Sequence, residues 1–158
     1  MQQAACTKVL FLDIDGVLNK ENTVEGVKET RKDRITGEEE IHVYTGLDKV
    51  LVDRYLSWLK DKDDLDVVLS SDWRKYPGFR DILNDNGIFW EDVTPVFNHN
   101  RGTEINHWLY KHPWYTHIAI LDDNIRMKPV AKYFVQTSIY HGLQTKHLRK
   151  VNKLLGYE

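Results

Sequence analysis

Three short apolar runs, Val9–Leu12, Asp66–Leu69 and His117–Leu121, each stop at a cluster of acids or hydroxyls. A run this short and this continuously apolar suits a strand covered on both faces, because neither side of it tolerates water. Tyr133–Val135 reads as a fourth strand and Ile88–Trp90 as a weaker candidate. The segments between them carry helical spacing. Leu47–Asp61 puts Val52, Leu56 and Leu59 on one stripe, with Thr45 and Asp48 set as a capping box. Phe79–Asn86 follows Pro77 and stops at Gly87, where a helix C-terminus favours glycine. Thr103–Lys111 turns Ile105, Trp108 and Leu109 inward and ends before Pro113. Thr145–Leu155 presents Leu148, Val151, Leu154 and Leu155, and ends at Gly156. Strands alternating with amphipathic helices predict an α/β fold built on a mainly parallel sheet.

Length and composition narrow the function classes. At 158 residues the chain is expected to form one domain over residues 1–158. Lys and Arg total 22 against 24 acids, a net charge of −2, so any nucleic-acid or membrane surface must be local. A single cysteine, Cys6, excludes an internal disulfide and suits a reducing compartment. Met1–Lys8 lacks the basic start and apolar run of a signal peptide, and no window approaches the length of a membrane span. A cytoplasmic location is the expectation. Residues 20–46 stand apart: Lys20–Glu40 is almost wholly polar, Thr36-Gly37 signals a turn, and Ile41–Tyr44 alternates like a strand. This segment reads as a projecting loop or hairpin. Arg31, Lys32 and Arg34 followed by Glu38–Glu40 suit a charged hairpin as well as an anion-binding flap.

Parallel sheets bind ligands beyond the carboxyl ends of their strands, and all three polar clusters lie there. They supply the carboxylates Asp13, Asp15, Asp122 and Asp123 and the hydroxyls Ser70 and Ser71. So many carboxylates repel one another unless a cation joins them, and the oxygen donors favour Mg²⁺. The seven His are scattered and Cys6 is alone, so zinc spacing is missing. Of the five Trp, Trp73 is the candidate for stacking on a base or substrate ring. Lys146, Arg149, Lys150 and Lys153 read as the solvated face of the last helix.

Phe11-Leu12-Asp13-Ile14-Asp15-Gly16-Val17-Leu18-Asn19 resembles the first motif of the haloacid dehalogenase (HAD) superfamily. Val67–Ser71 resembles the second and Ile118–Asp123 the fourth. For the third, a basic residue ahead of the fourth, Arg101 is the best match, with Lys111, Arg74 and Lys75 as rivals. Arg101–Leu109, His112-Pro113, Leu121–Asp123 and Gly142-Leu143 are similar to the HAD branch of "Swiss Army knife" RNA-repair proteins. Ser71-Asp72-Trp73-Arg74 is similar to its Ser-Trp-Arg stretch, interrupted by Asp72.

The resemblance implies a three-layer sandwich of strand order 5-4-1-2-3, with residues 20–46 as a flap or minimal cap. It implies a phosphatase in which Asp13 is the nucleophile and passes through an aspartyl-phosphate. Asp15 is the acid and base, while Ser70 and Arg101 hold and neutralise the phosphoryl group. Asp13, the Asp15 backbone carbonyl, and Asp122 or Asp123 are the expected Mg²⁺ ligands. Ser71, Trp73, Arg74 and Gly16 are the expected substrate contacts. The leading substrate is a phosphorylated nucleic-acid end or nucleotide. The alternatives are a mononucleotide or small metabolite, or a catalytically silent HAD fold used for binding. No membrane and no obligate protein partner are expected.

Overall fold

The apolar runs become the central strands. A computed structural model describes residues 6–21, 23, 26–32, 35–97 and 100–158, with 26–32 and 40–45 described by backbone alone. In chain order the elements are β1 (Lys8–Leu12), β2 (Gly26–Lys32), β3 (Glu39–Thr45), α1 (Lys49–Leu59) and β4 (Leu65–Leu69). They continue with α2 (Phe79–Asp85), β5 (Asp92–Val93), α3 (Arg101–Lys111), β6 (His117–Asp122), β7 (Phe134–Gln136) and α4 (Thr145–Leu155). One 3₁₀ turn covers Asp72–Lys75 and another Ala131–Tyr133.

Five strands form one parallel sheet in the order β5-β4-β1-β6-β7, with β1 in the middle. Counted along the chain this is 3-2-1-4-5, the expected order seen from the other edge. Side chains alternate across β1: Leu10 and Leu12 enter one core and Val9 and Phe11 the other. The first core is closed by Val52 and Tyr55 of α1, Leu83 of α2, and Leu148, Val151 and Leu155 of α4. The second is closed by Ile105 and Trp108 of α3, where Phe11 meets Trp108 edge-on at 5.4 Å. Helices on both faces of the sheet make three layers.

Several boundaries differ from the sequence reading. Asp48 alone caps α1, accepting from the Val50 and Leu51 N–H groups, while Thr45 closes β3. The run Ile88–Trp90 is not a strand. The Ile88 N–H closes the end of α2 on the Leu83 carbonyl, so it is not free to pair, and the ladder starts at Asp92. Helix α3 begins at Arg101 rather than Thr103, capped by the Asn100 side chain on the Thr103 N–H. Residues 26–32 and 39–45 form a separate antiparallel hairpin, from Gly26 opposite Thr45 to Lys32 opposite Glu39. Arg34 lies outside the described residues, as do the side chains of Lys28, Arg31 and Lys32. Among the described residues no helix is long and apolar enough to cross a membrane.

Gly102 sets how close α3 comes to the 126–128 segment that follows β6. Its N–H donates to the Arg126 carbonyl at 3.0 Å, and a Cβ there would overlap the backbone of Met127 and Lys128. Gly102→Ala is therefore expected to lower unfolding stability by about 1–3 kcal/mol through overpacking, read from denaturant unfolding. An unchanged midpoint would show that this close approach is dispensable.

Candidate active site

Parallel register brings the polar clusters to one level. Leu12, Leu69 and Leu121 are aligned across β4, β1 and β6, so the next residues, Asp13, Ser70 and Asp122, emerge side by side. The Asp13 N–H donates to the Leu121 carbonyl and the Ser70 N–H to the Leu12 carbonyl, both at 3.0 Å. Asp13, Asp122 and Asp123 each place a carboxylate oxygen within 4.8 Å of the others. Asp13 and Asp122 are buried and Asp123 is half-buried.

After Asp13 the chain turns back on itself, with Val17 and Leu18 N–H groups donating to the Ile14 carbonyl. Ile14, Val17 and Leu18 are fully buried and anchor the turn. Asn19 ties it: its Nδ2 donates to Asp15 Oδ1 at 2.8 Å while its Oδ1 accepts from the Gly16 N–H at 2.9 Å. Trp73 Nε1 donates to the same Asp15 oxygen at 2.8 Å, fixing that carboxylate from two sides. Gly16 has φ +77°, and a Cβ on it would overlap the Asp123 carboxylate, so only glycine lets the turn lie against the acids.

Arg101 stands opposite. Its Nη1 donates to Asp122 Oδ2 and lies 3.5 Å from Asp13 Oδ1, and its Nη2 lies 3.2 Å from Asp72 Oδ1. A cation in the first turn of a helix opposes the helix dipole, so these carboxylates hold it there rather than the helix. Burial works against its charge, but Asp122, Asp13 and Asp72 outweigh it and raise the guanidinium pKa above its ordinary value. Glu104, one turn on, is 4.0 Å from Arg101 Nε and is itself buried. It accepts from Arg74 Nη2 at 2.6 Å and from the Phe97 N–H at 2.7 Å.

Electrostatics show what the acids lack. Burial, then repulsion within the group, raises the Asp13 carboxyl to about 6 despite Arg101. Burial and Asp122 raise Asp123 to about 6, and burial with Asp13 lifts Asp122 well above the usual range. One guanidinium is too little charge for three adjacent carboxylates. Three oxygen donors at this spacing fit a hard divalent cation such as Mg²⁺.

Not every expected residue faces the site. Asp13, Ser70, Arg101, Asp122 and Asp123 converge, and Asp15 borders them. Lys111 ends α3 at the far end from Arg101, and Arg74 and Lys75 lie in the 3₁₀ turn. The expected substrate contacts are otherwise employed. Ser71 caps that turn through the Trp73 N–H, and the Gly16 N–H is held by Asn19. Trp73 is 2% exposed, so it has no open face for stacking. The Arg74 side chain is 2% exposed, paired with Glu104 and donating to Thr94. Sequence reading missed Glu104 and Asp72. Glu104 follows Arg101 by one helical turn, a spacing that signals an ion pair, but Asp72 had looked like an interruption.

A family model described as "HAD domain in Swiss Army Knife RNA repair proteins" matches residues 9–148. No curated protein matches the chain.

The raised carboxyls carry a stability signature. Between their ordinary value near 4 and about 6, the folded chain binds more protons than the unfolded chain, so this contribution is lost as pH rises through that window. Asp123→Asn removes one of the charges. In excess chelator its melting temperature, relative to the unmodified chain, is expected to climb from pH 4 to pH 7. A constant difference would mean that the three acids do not repel one another.

Proposed function

The chain belongs to the HAD domains of Swiss Army Knife RNA repair proteins, and on that footing we propose that it is a Mg²⁺-dependent phosphomonoesterase that removes a terminal phosphate from a nucleic acid or nucleotide. The observation that carries this reading is the convergence of Asp13, Asp122 and Asp123 within 4.8 Å, facing Arg101 at the carboxyl edge of the sheet. A binding module gains nothing from three crowded carboxylates, which cost free energy when left uncompensated. Phosphoryl transfer uses such a group, because a phosphate dianion repels nucleophiles until its charge is neutralised.

Asp13 is the nucleophile. One of its oxygens attacks phosphorus in line, the bond to the leaving oxygen breaks, and the phosphoryl group passes to the carboxylate. Asp15, oriented by Asn19 and Trp73, gives its proton to the leaving oxygen. It then takes a proton from the water that attacks the aspartyl-phosphate, releasing inorganic phosphate and restoring Asp13. Arg101 reaches toward Asp13 and neutralises the transferring oxygens. Ser70 Oγ is buried and has no protein partner, which leaves its hydrogen-bonding capacity for a phosphoryl oxygen. Mg²⁺ would be held by Asp13, the Asp15 carbonyl and, directly or through water, Asp122 and Asp123. There it supplies charge neutralisation of the phosphoryl group and of the crowded acids. Among the described residues the β2–β3 hairpin is the regular structure between β1 and α1, and an insertion of that size is too small to enclose a substrate, so the site suits the end of a long one. A cytoplasmic setting fits the single Cys6.

Phosphate release across 3′- and 5′-phosphorylated oligonucleotides, mononucleotides and sugar phosphates tests this. An oligonucleotide is expected to give the highest kcat/KM, and excess chelator is expected to abolish turnover until Mg²⁺ is restored. A mononucleotide or sugar phosphate preferred over every oligonucleotide at low salt would replace the substrate class. Full activity after exhaustive chelation would refute the metal's part.

A further inference from the structure

Since Trp73 and Arg74 are buried, a substrate's leaving group must be held elsewhere. Beside Asp123 a cavity of about 380 Å³ opens between the 136–140 segment and the start of α4, lined by Thr137, Ser138, Tyr140, Lys146 and His147 among others. A second cavity of about 430 Å³ shares Ser138, Lys146 and His147 with it. Each is within the roughly 300–1,000 Å³ of small-ligand sites.

The walls are fixed to the catalytic turn. The Thr137 N–H donates to the Asp122 carbonyl at 2.9 Å and the Glu21 N–H to the Ile139 carbonyl at 2.8 Å. The Leu143 N–H donates to the Val17 carbonyl at 2.9 Å, and Ser138 pairs with Gly142 across the turn. Within this frame Thr137 is 3% exposed, yet its Oγ1 has no hydrogen-bond partner. A buried hydroxyl without a partner costs free energy, and Thr137 is among the residues that line the cavity beside the acids. His147 is committed on one side only: its Nδ1 accepts from the Gln144 N–H at 2.8 Å, which assigns the ring proton to Nε2. Tyr140 is 64% exposed, and Lys146 is exposed at the rim. Lys150 and Lys153 follow Lys146 on the same exposed face of α4, which carries no acid.

We propose that this groove is the leaving-group subsite, receiving the nucleotide that adjoins the scissile phosphate of a nucleic-acid end. Lys146 meets the internucleotide phosphate, and Tyr140 stacks on the base. Thr137 Oγ1 and His147 Nε2 serve the sugar and its phosphate. The cationic edge of α4 carries the backbone onward. This inference rests on the phosphatase reading above and adds the residues that set its specificity.

The test compares the unmodified chain with Lys146→Ala and Tyr140→Ala, both changes at exposed side chains. The readout is the ratio of kcat/KM for a short phosphorylated oligonucleotide to that for a small aryl phosphate. Each substitution is expected to lower this ratio about tenfold, the size of one lost stacking or charged contact. Lys146→Ala should also flatten the salt dependence of oligonucleotide turnover by about 0.7 in log–log slope, the loss of one phosphate contact on a single strand. A ratio unmoved by both substitutions, with oligonucleotide turnover intact, would overturn the groove and leave the phosphatase reading standing. A chain that hydrolyses the aryl phosphate but no oligonucleotide, or prefers a phosphopeptide, would overturn the groove and the nucleic-acid substrate class and leave only the phosphomonoesterase chemistry standing.

Discussion

The rest of the site is arranged around a charge imbalance. Asp13, Asp122 and Asp123 are brought together by strand register and burial, and one guanidinium, Arg101, faces them. Folding alone would not select this arrangement. Removing one partner of a buried ion pair typically costs about 3–5 kcal/mol, so Arg101 supports the fold of the edge apart from its proposed part in chemistry. Gly102 lets α3 approach closely enough to deliver it. Glu104 and Arg74 brace it from behind, and Asp72 holds its outer nitrogen.

The same crowding explains the neighbouring residues. Gly16 is where the turn after β1 touches Asp123, and Asn19 fastens both Gly16 and Asp15. Trp73 spends its indole N–H on Asp15, so an aromatic residue beside a candidate substrate site belongs to the scaffold. The proposed leaving-group subsite lies instead beside Asp123, where Thr137, Tyr140, Lys146 and His147 line a cavity.

Much of this was legible because it depends on short-range pattern. The continuous apolar runs marked buried parallel strands, and the residues ending them had to share one edge once the register was parallel. That pattern puts Asp13, Ser70, Asp122 and Asp123 at one edge, where the register places them. Arg101 needed the family resemblance, since nothing local separates it from Lys111 or Arg74. What stayed hidden depends on long-range contact. Ile88–Trp90 is apolar because Ile88 fills the core, and a helix-ending hydrogen bond takes its N–H out of the sheet. Arg74 reads in sequence as a substrate contact, but Glu104, thirty residues away in the chain, pairs with it inside. Thr137 carries no signal in sequence at all, because its significance is the partner it lacks.

Covalent participation of Asp13 is the centre of the account, and trapping the intermediate tests it most directly. The protein is mixed with Mg²⁺ and a phosphorylated oligonucleotide, quenched in acid during turnover, digested and weighed by mass spectrometry. The account predicts one phosphoryl group on the peptide that carries Asp13, and none when Asp13→Asn is treated alike. Sustained phosphate release with no adduct on that peptide, or an adduct on another residue, would contradict it.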